Sequence, residues 1–154
     1  MAFDTDLIGP YGYCADISRT FHCGPAKPTP RQKELYSLAY EQIHHNMDLI
    51  KVGMSFRDLS KASWICPDEF LDTRYVCAYH GVGLADEYPD IVHPLDWDAY
   101  GHDGIIQENT VLCVESYIGQ TGDAEGVKLE EQVLITADGI QTLSTFPFED
   151  DLLL

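Results

Sequence analysis

Five carboxylates and one imidazole stand where strands could carry them to a common point. Asp4, Asp6 and Asp16 lie near the start, His80 opens HGVGL (80–84), Glu115 closes VLCVE (111–115), and Glu130 lies within VKLEEQVLIT (127–136). Each acid sits in or beside an apolar, strand-like stretch, where a lone carboxylate is costly to desolvate. Converging acids could not all ionise without cations among them. The pattern points to a carboxylate-rich site for two divalent metal ions, with His80 as the nitrogen ligand. Two ions held this way usually lie about 3.5–4 Å apart. Oxygen ligands suit hard or borderline cations, and an imidazole brings iron, zinc, manganese and cobalt within range. Each residue alone has a plainer alternative. Asp4 or Asp16 could guard a strand edge, Glu130 could face solvent, and His80 could be a satisfied core histidine.

Strands must position this set. Residues 2–8 and 11–21 read as an antiparallel hairpin turning at Gly9-Pro10. Asp4 and Asp6, two apart, would then share a strand face, with Asp16 opposite them. Thr29 is placed to cap a helix with Pro30 at its first position. Leu35, Leu38, Ala39, Ile43, Met47 and Ile50 recur at helical spacing to about Val52. A shorter helix is expected from the Ser55 cap to about Ser63. Residues 74–80 read as a strand ending in His80, with Tyr75, Cys77 and Tyr79 on the face opposite His80. Residues 89–104 read as an ordered loop, and 111–118 and 127–136 as strands. Asp138-Gly139 marks a hairpin turn after which 140–145 pairs back, and FEDDLLL is expected to be a terminal loop. Strands with helices grouped between them define an α+β class, a mainly antiparallel sheet with helices on one face.

The totals narrow the partners. The chain has 154 residues, enough for one domain, and 45% of them are hydrophobic. A net charge of −17 argues against nucleic acid and against anionic membranes as partners. No apolar run approaches the roughly 20 residues of a membrane span. The five cysteines include no CxxC pair, so free thiols in a reducing, cytoplasmic setting are expected, with Cys77 and Cys113 as small core residues. His44 and His45 on the long helix read as surface residues. His22, His93 and His102 lie in loops without ligand spacing. Trp64 reads as packing, whereas Trp97 could pack or touch a ligand.

The segments DLIGPYGYCADISRTF (6–21), HGVGL (80–84), VESYIG (114–119) and LEEQVLIT (129–136) resemble the metal-binding segments of the creatinase, prolidase and methionine aminopeptidase superfamily. That resemblance implies the pita-bread fold, with residues 1–154 forming its C-terminal catalytic part without the N-terminal region. It also implies Asp6, Asp16, His80, Glu115 and Glu130 as ligands of two divalent ions. Peptidases of this superfamily carry a second histidine in a stretch like HGxGLxxHExP. Here the stretch is HGVGLADEYP, one residue shorter, and Asp86 stands where that histidine would be. This departure and the extra acid Asp4 are similar to one branch, the bacterial dimethylsulfoniopropionate lyases. The branch implies Asp86 as catalytic base, Asp4 within the metal set, Tyr75 lining the pocket, iron as the favoured metal, and a homodimeric full-length protein. The implied substrate is a small zwitterion with a carboxylate and a sulfonium, the latter suited to aromatic faces such as Tyr75, Tyr79, Tyr88 and Trp97.

Overall fold

A computed structural model describes residues 1–154. Its centre is a five-stranded antiparallel sheet in the order β6-β5-β7-β8-β9. The strands are β5 (Cys77–Gly81), β6 (Asp90–Val92), β7 (Val111–Gly119), β8 (Gly126–Thr136) and β9 (Gly139–Thr142). One face is covered by α1 (Pro30–Leu49), which packs on β7 and β8. The α+β expectation, with helices on one sheet face, holds.

The start of α1 follows from its sequence. The Thr29 hydroxyl accepts from the backbone N–H of Gln32, and the Gln32 side chain accepts from that of Thr29. This reciprocal pair satisfies two donors that the first helical turn leaves free. Leu35, Tyr36, Ala39, Ile43 and Met47 form the buried stripe of α1. They meet Leu112, Val114 and Ile118 of β7 and Leu129, Val133 and Ile135 of β8 in one core. Alternation does the rest: the even residues of β7 face the helix, and its odd residues face the other way. Ser55 caps the short α2 (Phe56–Ala62), as expected.

Four sequence expectations need correction. The first hairpin is two short strand pairs: β1 (Ala2–Asp4) pairs with β4 (Ser18–Thr20), and β2 (Leu7–Ile8) pairs with β3 (Cys14–Ala15). The break falls at Asp6, whose φ of 34° is incompatible with an extended strand. Residues 89–104 are not a loop throughout: they hold β6 and a helical turn, α3 (Trp97–Tyr100), whose Trp97 is buried in the core. The return strand after Asp138-Gly139 stops at Thr142. The tail docks through a 3-10 turn at Asp150–Leu152 that buries Leu152 against α1.

Tyr75, Cys77 and Tyr79 do not share one strand face, a fifth departure from expectation. The strand begins at Cys77, and its register shifts between Cys77 and Tyr79. Such a bulge moves neighbours to opposite faces. Tyr79 points to the helices, with its hydroxyl 2.8 Å from Ser63 Oγ, whereas Cys77 lies beside Glu115 on the other face.

Candidate metal centre

The face of the sheet opposite α1 carries the acids. Glu115 and Glu130 are direct cross-strand partners on β7 and β8, and His80 pairs with Cys113 across β5 and β7. Residues two apart share a face, so Cys113 and Glu115 of β7 join Lys128, Glu130 and Gln132 of β8. The His80 Nε2 lies 3.1 Å from Glu115 Oε1, 3.2 Å from Glu130 Oε1 and 4.0 Å from Asp16 Oδ2. Asp16, His80, Glu115 and Glu130 are all buried.

The N-terminal strands lay the remaining acids over this floor. β4 runs along the free edge of β8: the Lys128 N–H donates to Thr20 Oγ1 at 3.0 Å, and the Thr20 hydroxyl donates to the Lys128 carbonyl at 2.8 Å. Arg19 donates to the Glu130 carbonyl at 2.7 Å. The Ser18 hydroxyl sits 2.7 Å from Asp4 Oδ1 and 2.9 Å from Glu130 Oε2, linking strand and floor. The Asp6 N–H donates to Asp16 Oδ1 at 3.3 Å, and the Asp16 N–H donates to Gln132 Oε1 at 3.1 Å. Asp4 gathers with Asp16 and Glu130, while Asp6 gathers with Asp16 and Asp86, each trio with oxygens within 4.8 Å of one another. The six residues expected as ligands therefore converge, with Asp16 at the centre. Asp4 and Asp6 approach it from two sides rather than from one strand face.

Asp86 enters from the loop after β5. One of its oxygens, Oδ1, is buried and has no hydrogen-bond partner. Tyr75 borders the site with its ring half-exposed, 5.0 Å from the Lys128 ammonium. Tyr88 is exposed. Tyr79 and Trp97 belong to the core and do not line this face, as corrected above.

Three participants were not expected. Glu87 stands within ligand reach of Asp16 and His80, and again of Cys77 and Glu115. Lys128 bonds to Glu115 and lies 3.5 Å from Asp4 and 3.8 Å from Glu130. Cys113 is buried within ligand reach of His80 and Glu130, so it and Cys77 belong to the site rather than to the core as expected. Lys128 and Cys113 lie two residues from Glu130 and Glu115 on alternating strands, and that spacing was a usable signal. Glu87 sits in a loop at a φ of 63° and carried none.

The electrostatics show how crowded the site is. Burial and then the Glu130 charge push Asp16 up to about 8. Burial alone would lower His80, but its contacts with Glu115 and Glu130 reverse this and raise it to about 11. Burial also opposes the Lys128 charge, and Glu115 and Glu130 outweigh it, so its proton is held more firmly than usual. Burial raises Glu87, partly offset by His80. A buried cluster of carboxylates in which Asp16 and His80 retain protons at neutral pH, with an unpartnered buried oxygen on Asp86, fits divalent cations in donor type, number and charge.

This arrangement, carboxylates from three strands and the turns beside them with one histidine on the sheet face opposite α1, is that of a metallopeptidase fold. The chain belongs to metallopeptidase family M24, whose sequence profile matches residues 2–137. Its strands and helices form part of the pita-bread fold: an Xaa-Pro dipeptidase from Bacillus anthracis superposes with a TM-score of 0.72 at 25% identity, over 90% of this chain and 37% of that one. An X-Pro aminopeptidase from Thermotoga maritima gives 0.74 at 27% identity, with the same coverage. In sequence the chain is similar to dimethylsulfoniopropionate lyase DddP of Roseovarius nubinhibens, 39% identical over 153 residues, and to that of Roseobacter denitrificans, also at 39%. The alignments cover 99% of this chain and 34% of each lyase, so the chain spans about a third of those relatives' length. No helix is long and apolar enough to cross a membrane.

Proposed function

We propose that this chain carries the metal-dependent active site of a carbon–sulfur lyase that splits dimethylsulfoniopropionate into dimethyl sulfide and acrylate. The observation that carries the reading is Asp86, whose buried, unpaired oxygen stands beside Asp6 and Asp16. By resemblance, this acid occupies the place where the peptidases keep a histidine. The similarity to two dimethylsulfoniopropionate lyases along 99% of the chain supports the same reading.

In this account Asp4, Asp6, Asp16, His80, Glu115 and Glu130 hold two divalent ions, with iron favoured by the same resemblance. Bound there, the ions supply Lewis acidity that offsets negative charge developing next to the substrate carboxylate. Asp86 takes the proton from the carbon next to that carboxylate. The electron pair of the broken C–H bond forms the C=C bond of acrylate, and the C–S bond breaks with its electrons going to sulfur. Dimethyl sulfide leaves as a neutral molecule and needs no acid. The proton remains on Asp86 until solvent removes it. Tyr75 and Tyr88 offer accessible aromatic faces to the sulfonium. Burial and then the Glu115 charge raise the Tyr75 phenol to about 12, so it stays protonated as a neutral hydrogen-bond donor at the pocket wall. Residues 1–154 act as the C-terminal catalytic part of a homodimeric, cytoplasmic protein.

The solved neighbours favour one alternative, a prolidase- or creatinase-like hydrolase, since they are Xaa-Pro peptidases. Release of dimethyl sulfide, measured beside hydrolysis of a dipeptide ending in proline, separates the two. Dimethyl sulfide without dipeptide cleavage supports the lyase.

A further inference from the structure

The proposed elimination gives no task to Lys128, although this residue stands inside the acid cluster. Its side chain is only 14% exposed, and its ammonium contacts Glu115 and lies 3.5 Å from Asp4 and 3.8 Å from Glu130. The root of the side chain is fixed. Thr20 bonds to both the N–H and the carbonyl of Lys128, and β8 pairs it with Tyr117 of β7. Tyr75 caps the ammonium from the open side. The backbone that carries the ammonium is therefore held over the acids, and the charge is kept there by its ion contacts with Glu115, Asp4 and Glu130. The other end of the cluster differs: Asp6, Asp16 and Asp86 gather there, and their one cationic neighbour within ion-pair reach is His80, beside Asp16.

We propose that Lys128 is a built-in competing cation of the metal centre, which holds divalent-ion affinity below what the carboxylates alone would give and keeps the ions exchangeable. The physical ground is like-charge repulsion at short range in a poorly solvated site, where screening by salt is weak. The inference rests on reading the acid cluster as a metal centre, but not on which reaction it serves. It concerns a fixed charge, since lysine stays protonated across the working pH range.

The test compares wild type, Lys128→Met and Lys128→Arg by manganese(II) titration calorimetry, with metal analysis after dialysis and the rate of metal loss to a chelator. The Met variant keeps the stem and removes the charge, whereas Arg keeps the charge. Lys128→Met should bind the weaker-held ion at least tenfold more tightly and release it at least tenfold more slowly, with Lys128→Arg close to wild type. Unchanged or weaker binding by a folded Lys128→Met, checked by thermal unfolding, overturns the proposal and makes Lys128 a strut for Glu115. If Lys128→Met does not fold, Lys128→Gln takes its place with the same expectations. Wild type that binds no manganese overturns the metal-centre reading itself, a result distinct from failure of the Lys128 comparison.

Discussion

Glu115 and Glu130 stand directly opposite each other on β7 and β8, both buried and both in contact with the His80 ring. Like charges placed this way destabilise a strand pair; Lys128 and His80 offset part of that penalty, and bound divalent ions would offset more of it. A ligand that binds only the folded state at 100 times its dissociation constant adds about 2.7 kcal/mol. For a chain of this length that corresponds to a rise of roughly 5–10 °C in Tm. Thermal unfolding with and without a divalent ion should show this rise, and Glu115→Gln/Glu130→Gln should lose most of it.

Asp86→Asn keeps the shape of the side chain and removes its basicity. The expected result is a loss of at least about 100-fold in acrylate release, with metal content equal to wild type. His80→Ala should lose metal and activity together, because the imidazole contacts both glutamates. Metal analysis alongside the rate assay distinguishes the two variants.

Metal binding should expel protons. At neutral pH the metal-free site holds protons on Asp16, raised to about 8, and on His80, raised to about 11. Ligands must give these up, so affinity should rise from pH 6 to pH 8. Titration calorimetry in buffers of different ionisation enthalpy would report the released protons, and a buffer-independent heat would contradict the assignment. The metal-free fold should respond in the opposite direction. Both groups bind protons more firmly folded than unfolded, so stability is fully present below the unfolded values and declines as pH rises through the folded ones. The two windows overlap between 6.5 and about 8, where the Tm of chelator-treated protein should fall with rising pH.

Arg19 is the fastener between the N-terminal strands and the sheet. It is buried, pairs with buried Glu131, and donates to the carbonyls of Glu130 and Phe146. Arg19→Met leaves Glu131 without its partner charge, at a cost of about 3–5 kcal/mol. Arg19→Met/Glu131→Met should be less damaging than the single change. Urea unfolding midpoints of the two variants decide this.

Most of the site was legible because alternation on β7 and β8 is regular: Glu115 and Glu130 follow from period-two faces. The helix α1 was legible from Thr29, Pro30 and its apolar stripe. The faces of Cys77 and Tyr79 were not, because a bulge between them breaks the period and no residue type announces it. The route of Asp6 was hidden in the same way, since a positive φ at an aspartate is a tertiary outcome. Cys113 was misread for a different reason. A small apolar residue on a buried strand fits a core and a dry metal pocket equally well, and only its partner His80 tells them apart. Lys128 could have been placed by counting two back from Glu130.

Headspace detection of dimethyl sulfide from metal-loaded wild type and Asp86→Asn given dimethylsulfoniopropionate decides between elimination and hydrolysis. Wild type should release dimethyl sulfide and acrylate in equal amounts, and the variant next to none at equal metal content. Dimethyl sulfide at the wild-type rate from Asp86→Asn would remove Asp86 as the base, and proline-dipeptide cleavage by a wild type that releases no dimethyl sulfide would make the protein a hydrolase.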